Sequence, residues 1–372
     1  MNRKILLILI ILIIGGIFFA WEIYLPKNSL TRMIMKGGEE GLPSSTSQEK
    51  VIFKVEKGEG SKEIALNLER DGLIKWDLPF RVYVLTKDIS GNLQAGTYEL
   101  SPSMTIPQIA KKFASGDTLK IKVTIPEGFT LKDIQEELTS KLQRNVRGAS
   151  RSEEGGGGVV VCDFRAGDFK QEFDFLEDSP DVASLEGFLF PDTYFFELNQ
   201  DDKGIVERFL KNFGEKFAPY QNRTVLGEKK IFEIVIMASL IEKEVQTLED
   251  KKLVSGILWK RLENKIPLQV DATISYITRA LAKGEDERSS STTGKKTVKV
   301  SIEETKIDSP YNTYKYRGLP IGPISNPGLE SIIAAISPQK SDSWYYLSTP
   351  EGETIFRKTL EEHNIARAKY LK

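Results

Sequence analysis

The chain has 372 residues, with 52 Lys+Arg against 53 Asp+Glu, one His and one Cys. A lone histidine excludes a His-rich metal site, and a lone cysteine excludes an internal disulfide or a zinc knuckle. A formal net charge of -1 leaves no electrostatic footprint for nucleic acid, so no such partner is expected. Any catalysis must rest on Asp, Glu, Lys, Ser, Thr or Tyr side chains, and no metal or other cofactor is expected. A Ser/His or Cys/His dyad would have to use His363, close to the C-terminus. The length predicts about two domains.

Ile5 to Trp21 is apolar apart from Gly15 and Gly16. The run is roughly 17 residues, near the lower limit for spanning a membrane. Arg3 and Lys4 precede it, and Trp21 and Tyr24 fall where an interfacial belt would lie. Phe18-Phe19-Ala20-Trp21-Glu22 is a poor cleavage site. The run therefore reads as a retained single-pass anchor, in preference to a cleaved signal or a buried core helix. Arg3 and Lys4 put the N-terminus in the cytoplasm, although Lys27, Arg32 and Lys36 nearly balance them. The rest of the chain is expected outside, on the outer face of the cell (inner) membrane. Residues 26–49 are rich in Pro, Gly, Ser and Thr and read as a linker.

Val51-Ile52-Phe53-Lys54-Val55 reads as a strand. Ser61 is placed to cap a helix bearing Ile64, Ala65 and Leu68, with Gly72 past its end. A second helix fits Leu78 to Leu85 and a second strand Ala95 to Leu100. This strand-helix-helix-strand order resembles a LysM-like module, bounded at 50–118. Thr105 is placed to cap a helix bearing Ile109, Ala110 and Phe113, closed by Gly116. After a strand over Lys120 to Ile125, Thr130 is placed to cap another, bearing Ile134 and Leu138. Internal duplication and generic αβ units explain this recurrence equally well. The remainder, 119–372, is expected to be a mixed α/β catalytic domain with flexible inserts near 146–160 and 283–298. The fold class is α+β.

Glu228 to Val245 is apolar nearly all round and predicts a buried central helix. Glu242 continues the stripe of Ile234, Val235 and Ala238 at helical spacing. A carboxyl buried on that stripe would have a raised pKa, as a general acid needs. Alternatively, Glu242 emerges into water and pairs with Lys243 or a distant base. Glu244, about 200° further round the helix, is the rival carboxylate. Thr247-x-x-Asp250 reads as the cap of a following helix, which Pro267 breaks. Gln269 and Asp271 then precede a third helix carrying Ile274, Tyr276 and Ile277, with Asp271 also a natural N-cap. Four prolines and three glycines between Ser309 and Gly328 specify a rigid loop. Its aromatic and amide side chains, including Tyr311, Asn312 and Tyr314, suit sugar rings and hydroxyls. A purely structural loop has the same composition.

Four stretches in order resemble one family. They are Leu185-Glu186-Gly187-Phe188-Leu189-Phe190-Pro191-Asp192-Thr193-Tyr194, Ala238-Ser239-Leu240-Ile241-Glu242-Lys243-Glu244, Leu268-Gln269-Val270-Asp271-Ala272-Thr273, and the loop from Tyr311-Asn312-Thr313-Tyr314 to Asn326-Pro327-Gly328. With the N-terminal layout they resemble the membrane-anchored endolytic murein transglycosylases, the MltG or YceG-like family. The resemblance implies a peptidoglycan lytic transglycosylase cutting nascent glycan strands between N-acetylmuramic acid and N-acetylglucosamine. It implies 1,6-anhydromuramic ends, termination of glycan elongation and penicillin-binding synthases as partners. Glu242 falls on the family's catalytic glutamate. Gln269, Tyr311, Asn312 and Tyr314 are expected to position the sugar, with Asp271, Glu186 and Tyr194 shaping the site. His363 falls near the family's last motif and is expected to be peripheral, and Cys162 incidental.

A single glutamate suffices for that chemistry, because the muramyl C6 hydroxyl is tethered to the reacting sugar and attacks at high effective molarity. An ordinary glycosidase needs two carboxylates. Two other readings stand beside it. One is a hydrolytic muramidase, in which water replaces O6. The other is a wall-binding scaffold without catalysis.

Overall fold

The computed structural model of the chain describes residues 49–146, 161–198, 200–222, 226–281 and 300–371. One part of the expected fold is corrected. Among the described residues, no helix is long and apolar enough to cross a membrane, and the run from Ile5 to Trp21 lies outside them. The fold of the described residues is α+β, and no transmembrane helix is among them. The inserts expected near 146–160 and 283–298 fall at residues 147–160 and 282–299, outside the described residues.

The chain divides into two compact units, with the break after Lys120. In the first, strand β1 (Val51–Val55) pairs antiparallel with β2 (Gly96–Leu100), Val51 opposite Leu100 and Val55 opposite Gly96. Helices α1 (Ser61–Arg70) and α2 (Asp77–Thr86) lie between them in sequence, and α3 (Ile106–Ser115) follows. Gly60, not Ser61, is the N-cap of α1. The Glu63 carboxyl accepts from the Gly60 N–H at 3.0 Å, so a residue inside the helix satisfies the end that a serine was expected to cap. Thr105 does cap α3, and its own N–H donates to the Gln108 side chain at 2.8 Å. Gly116 ends α3 in the left-handed region, with φ 63°. Phe113 from α3 packs on Phe53, Phe80 and Tyr98, with ring centroids 5.8, 6.2 and 4.7 Å away. Its ring thus joins both strands and α2 in one core.

The second unit holds a two-stranded sheet of β3 (Lys120–Thr124) and β4 (Thr193–Glu197). Helix α4 (Leu131–Val146) follows β3, and α5 (Asp202–Phe217) follows β4. Helix α6 (Ile231–Glu244) is central: every residue from Ile234 to Ile241 is buried. Burying each large apolar side chain fully is worth about 1.5–3 kcal/mol, enough to fix the helix and whatever its ends carry. Helices α7 (Leu248–Glu263), α8 (Asp271–Leu281) and α9 (Leu329–Ile336) pack against it. Thr247 caps α7, its hydroxyl accepting from the Asp250 N–H at 3.2 Å. The segment from Asp308 to Gly328 contains neither helix nor strand, in line with its prolines. Hairpin β5 (Tyr345–Ser348)/β6 (Thr354–Arg357) and helix α10 (Leu360–Tyr370) complete the unit.

Candidate functional site

The last three residues of α6 point into three different surroundings. Glu242 faces the start of α9. Its Oε2 accepts from the Gly328 N–H at 3.0 Å and the Ser331 hydroxyl at 2.7 Å. Lys251, from α7, brings its ammonium to 3.5 Å, and the two side chains are only 9% and 3% exposed. The start of α9 and the Lys251 ammonium thus both hold the same carboxyl oxygen. The Glu242 side chain is thus largely enclosed and paired, with Lys251 and not Lys243. Glu127 lies close by. Burial, and next the charge of Glu242, hold its carboxyl above the usual range.

Lys243 donates to the Gly128 carbonyl at 3.0 Å and lies near the Glu186 carboxyl. Glu186 is 3% exposed. Both its oxygens lie 3.0 Å from the Leu131 N–H at the start of α4, and Oε1 accepts from the Asn326 amide at 2.9 Å. Burial outweighs these donors and pushes the carboxyl up to about 8. The Arg279 guanidinium, which also influences Glu186, is paired with Asp133. The Tyr311 and Tyr276 rings lie 5.0 Å apart, tilted by 49°, and the charge of Glu186 reaches both.

Glu244 faces the start of α8 and strand β5. Burial, and next the charge of Asp271, lift its carboxyl to about 7, while the Tyr346 hydroxyl and the Ala272 N–H pull the other way. The Tyr314 hydroxyl donates to Asp271. Gln269 leads into this cluster with a left-handed backbone, φ 53°. Its N–H donates to the Thr313 carbonyl at 3.1 Å and its side chain is exposed. That conformation costs a non-glycine residue on the order of 1–3 kcal/mol and clusters at functional sites.

Of the residues expected at the site, Asp271 and Tyr314 thus lie with Glu244, Gln269 sits two residues before Asp271 with its N–H on Thr313, and Tyr311 lies with Glu186. Two others are engaged elsewhere. Asn312 is 1% exposed. Its amide donates to the Thr305 and Ile307 carbonyls and accepts from the Tyr314 and Lys315 N–H groups. All four hydrogen-bonding positions are filled, so it ties the loop instead of meeting a sugar. Tyr194 is 5% exposed and packs on Phe196 and Phe209. Its hydroxyl donates to the Phe190 carbonyl at 2.5 Å and accepts from Asn212 at 2.9 Å. It belongs to the core.

A model of the YceG-like family matches residues 53–369. The chain belongs to the YceG-like family. A protein named endolytic murein transglycosylase from Bacillus subtilis is 31% identical over 342 residues, 87% of this chain and 86% of that protein. One of the same name from Streptococcus pneumoniae is 30% identical over 337 residues, 86% of this chain and 58% of that protein. The YceG-like chain thus spans less than two thirds of the pneumococcal relative. The crystal structure of a yceG-like protein from Listeria monocytogenes is similar, with a TM-score of 0.51 and 32% identity, over 86% of this chain and 100% of that one.

Sequence reasoning missed Lys251, Tyr276 and Tyr346. Lys251 carries a signal, since it falls on the apolar stripe of α7 with Val254 and Leu258, at spacings of three and seven. Tyr346 carries none, because nothing in the local alternation of Tyr345-Tyr346-Leu347-Ser348 says which helix its hydroxyl will meet.

Proposed function

We propose that this YceG-like chain is an endolytic lytic transglycosylase of peptidoglycan, with Glu244 as its acid and base. The observation that carries the assignment is the Glu244 carboxyl, lifted to about 7 beside Asp271. A carboxyl with that proton affinity can both donate and accept near neutral pH. Glu242 was expected in this role, but its Oε2 is already engaged by Gly328, Ser331 and Lys251.

In the reaction, Glu244 gives its proton to the glycosidic oxygen as the bond to muramyl C1 breaks. The muramyl O6 then attacks C1, and its proton returns to the carboxylate. One C–O bond breaks, one forms, and no water is consumed. The product carries a 1,6-anhydromuramic end. Asp271, oriented by Tyr314, supplies negative charge for the oxocarbenium-like state, and the exposed Gln269 amide is available to sugar hydroxyls. The substrate puts the working site outside the cytoplasm. Cutting nascent strands there would terminate glycan elongation, in company with penicillin-binding synthases.

The test is digestion of purified glycan strands by the full chain, with masses of the products. Glu244→Gln should lose at least about 100-fold in activity while Glu242→Gln, if folded, keeps most of it. Full activity in Glu244→Gln would refute the assignment. Product ends heavier by one water would favour a hydrolytic muramidase, and binding without cleavage a wall-binding scaffold.

A further inference from the structure

The last turn of α7 meets the start of β5 and the link from β6 to α10 at a cavity of about 270 Å³, whose wall includes Arg261, Ile266, Trp344, Tyr345, Lys358 and Leu360. Arg261 is 6% exposed. Its Nε donates to the Trp344 carbonyl and its Nη1 to the Leu268 carbonyl, both at 2.9 Å, and the guanidinium lies over the Tyr345 ring at 5.0 Å. Those two bonds use two of its five N–H donors. Both acceptors are neutral. None of the ion pairs among the described residues includes Arg261. A buried cation without a counter-ion is expensive, and here it faces a cavity. Lys260 adds a second cation, its ammonium over the Trp344 ring at 4.2 Å and bonded to the Ser341 and Ser343 carbonyls at 2.7 and 2.6 Å. Lys358 adds a third, paired at 3.2 Å with Asp342, both side chains largely exposed. Such an exposed pair is weak and readily exchanged. His363, stacked on Tyr345 at 5.4 Å, is held neutral by burial and then by Arg367 and Arg261, so it adds no charge.

We propose that this cavity binds a carboxylate of the peptide that the glycan strand carries on its muramic acid. The inference rests on the transglycosylase function proposed above. Three features fit that ligand. The planar guanidinium fork of Arg261 matches a carboxylate in a way that a point charge does not, and Lys358 stands at the same cavity. Ile266, Trp344 and Leu360 line the cavity beside these cations, so a group that is charged at one end and apolar along its length is accommodated, as an amino-acid residue is. The volume falls just below the roughly 300–1,000 Å³ of small-molecule sites, which is room for a residue or two of peptide and not for a run of sugars. The position is also right. The Leu268 carbonyl that Arg261 holds belongs to the residue before Gln269, whose exposed amide is offered to sugar hydroxyls. A muramic acid bound at Gln269 would thus bring its peptide within reach of the cavity, and the strand would be held by its sugar and its peptide together.

The experiment is calorimetric titration of the full chain with a soluble muramyl tetrapeptide, which holds a single sugar and cannot be cleaved. Beside it run the same compound with its peptide carboxyls amidated, peptide-free N-acetylmuramic acid with its lactyl carboxylate exposed, and inorganic phosphate. The tetrapeptide should bind with a Kd of about 1 mM or tighter, and the other three at least about tenfold more weakly. Lys358→Glu reverses the charge of an exposed side chain and should weaken tetrapeptide binding about tenfold. Arg261→Lys keeps the charge but loses the fork and should weaken it as well; if that variant does not fold, Lys358→Glu decides alone. Undetectable binding, equal affinity for the free and amidated peptides, or an unmoved affinity in Lys358→Glu overturns the proposal. Phosphate or the peptide-free acid binding as tightly as the tetrapeptide overturns the assignment to peptide. Because the readout is binding, the two proposals fail separately. Cleavage of strands without peptide binding refutes only the cavity's role, and peptide binding without cleavage refutes only the transglycosylase reading.

Discussion

Replacing Glu186 by Gln should flatten the pH dependence of stability. In the wild type the Glu186 carboxyl, 3% exposed, titrates at about 8 instead of the usual 4.5. Below 4.5 both folded and unfolded chains hold the proton. Between 4.5 and 8 the unfolded chain releases it and the folded chain keeps it, so the folded state binds more protons. Stability must then fall as pH rises through that window and level off above 8. At about 1.4 kcal/mol per pKa unit, this one group removes on the order of 5 kcal/mol between pH 4.5 and 9. Glutamine has nearly the same shape and carries no proton to lose. Its oxygen can still accept from the Leu131 N–H, and the loss at pH 5 should be only about 1 kcal/mol. Denaturant melts of both proteins at pH 5, 7 and 9 measure the effect. The difference between them isolates Glu186, because Asp133, Lys243 and Arg279 titrate in both. The variant should overtake the wild type before pH 9. Parallel curves would mean that Glu186 is ionised in the folded protein, and the burial argument would fail.

Two further predictions concern packing around α7. Lys251→Met leaves the buried Glu242 without its cation and should cost about 3–5 kcal/mol, with most of the loss recovered in Lys251→Met/Glu242→Gln; thermal melts of the three proteins decide. Gly256→Ala places a Cβ 1.9 Å from the Gln339 carbonyl oxygen, on a segment tied to α7 by the Gln339 N–H to Lys252 carbonyl bond of 3.0 Å. Alanine favours the helix by about 1 kcal/mol, yet the clash should dominate and lower stability by at least about 2 kcal/mol, read from denaturant midpoints.

Helices α1 to α4 and α6 to α8, and the caps at Thr105 and Thr247, were legible because a cap and an apolar period are local. The prolines of the 309–328 loop were legible for the same reason. The choice between Glu242 and Glu244 was not. Helical phase discriminates only when one face is apolar and the other wet, and α6 is buried on every side from Ile234 to Ile241. The partners that set the two glutamates apart are Lys251, Ser331, Asp271 and Tyr346, and the last lies about a hundred residues away. Asn312 was expected to meet sugar because its residue type suits sugars, and Tyr194 to shape the site because it falls in a matched motif. Residue type does not reveal that loop carbonyls and a phenylalanine cluster already occupy them. The expected membrane span rested on residues 5–21 alone, with no support from the described helices.

The divergence of Glu242, Lys243 and Glu244 makes the end of α6 a three-way key. Each residue turns about 100° from the last, and each meets a lock from a different part of the chain: α7 and α9, the Gly128 turn beside α4, or α8 with β5. Deleting one residue upstream in α6 would turn the key by one notch. Lysine would then meet the lysine of α7, and a glutamate would meet the buried Glu186. The register of this helix is therefore protected from both ends, by its apolar body and by the incompatibility of wrong pairings at its tip. Small insertions and deletions should be tolerated in the surrounding loops long before they are tolerated in α6.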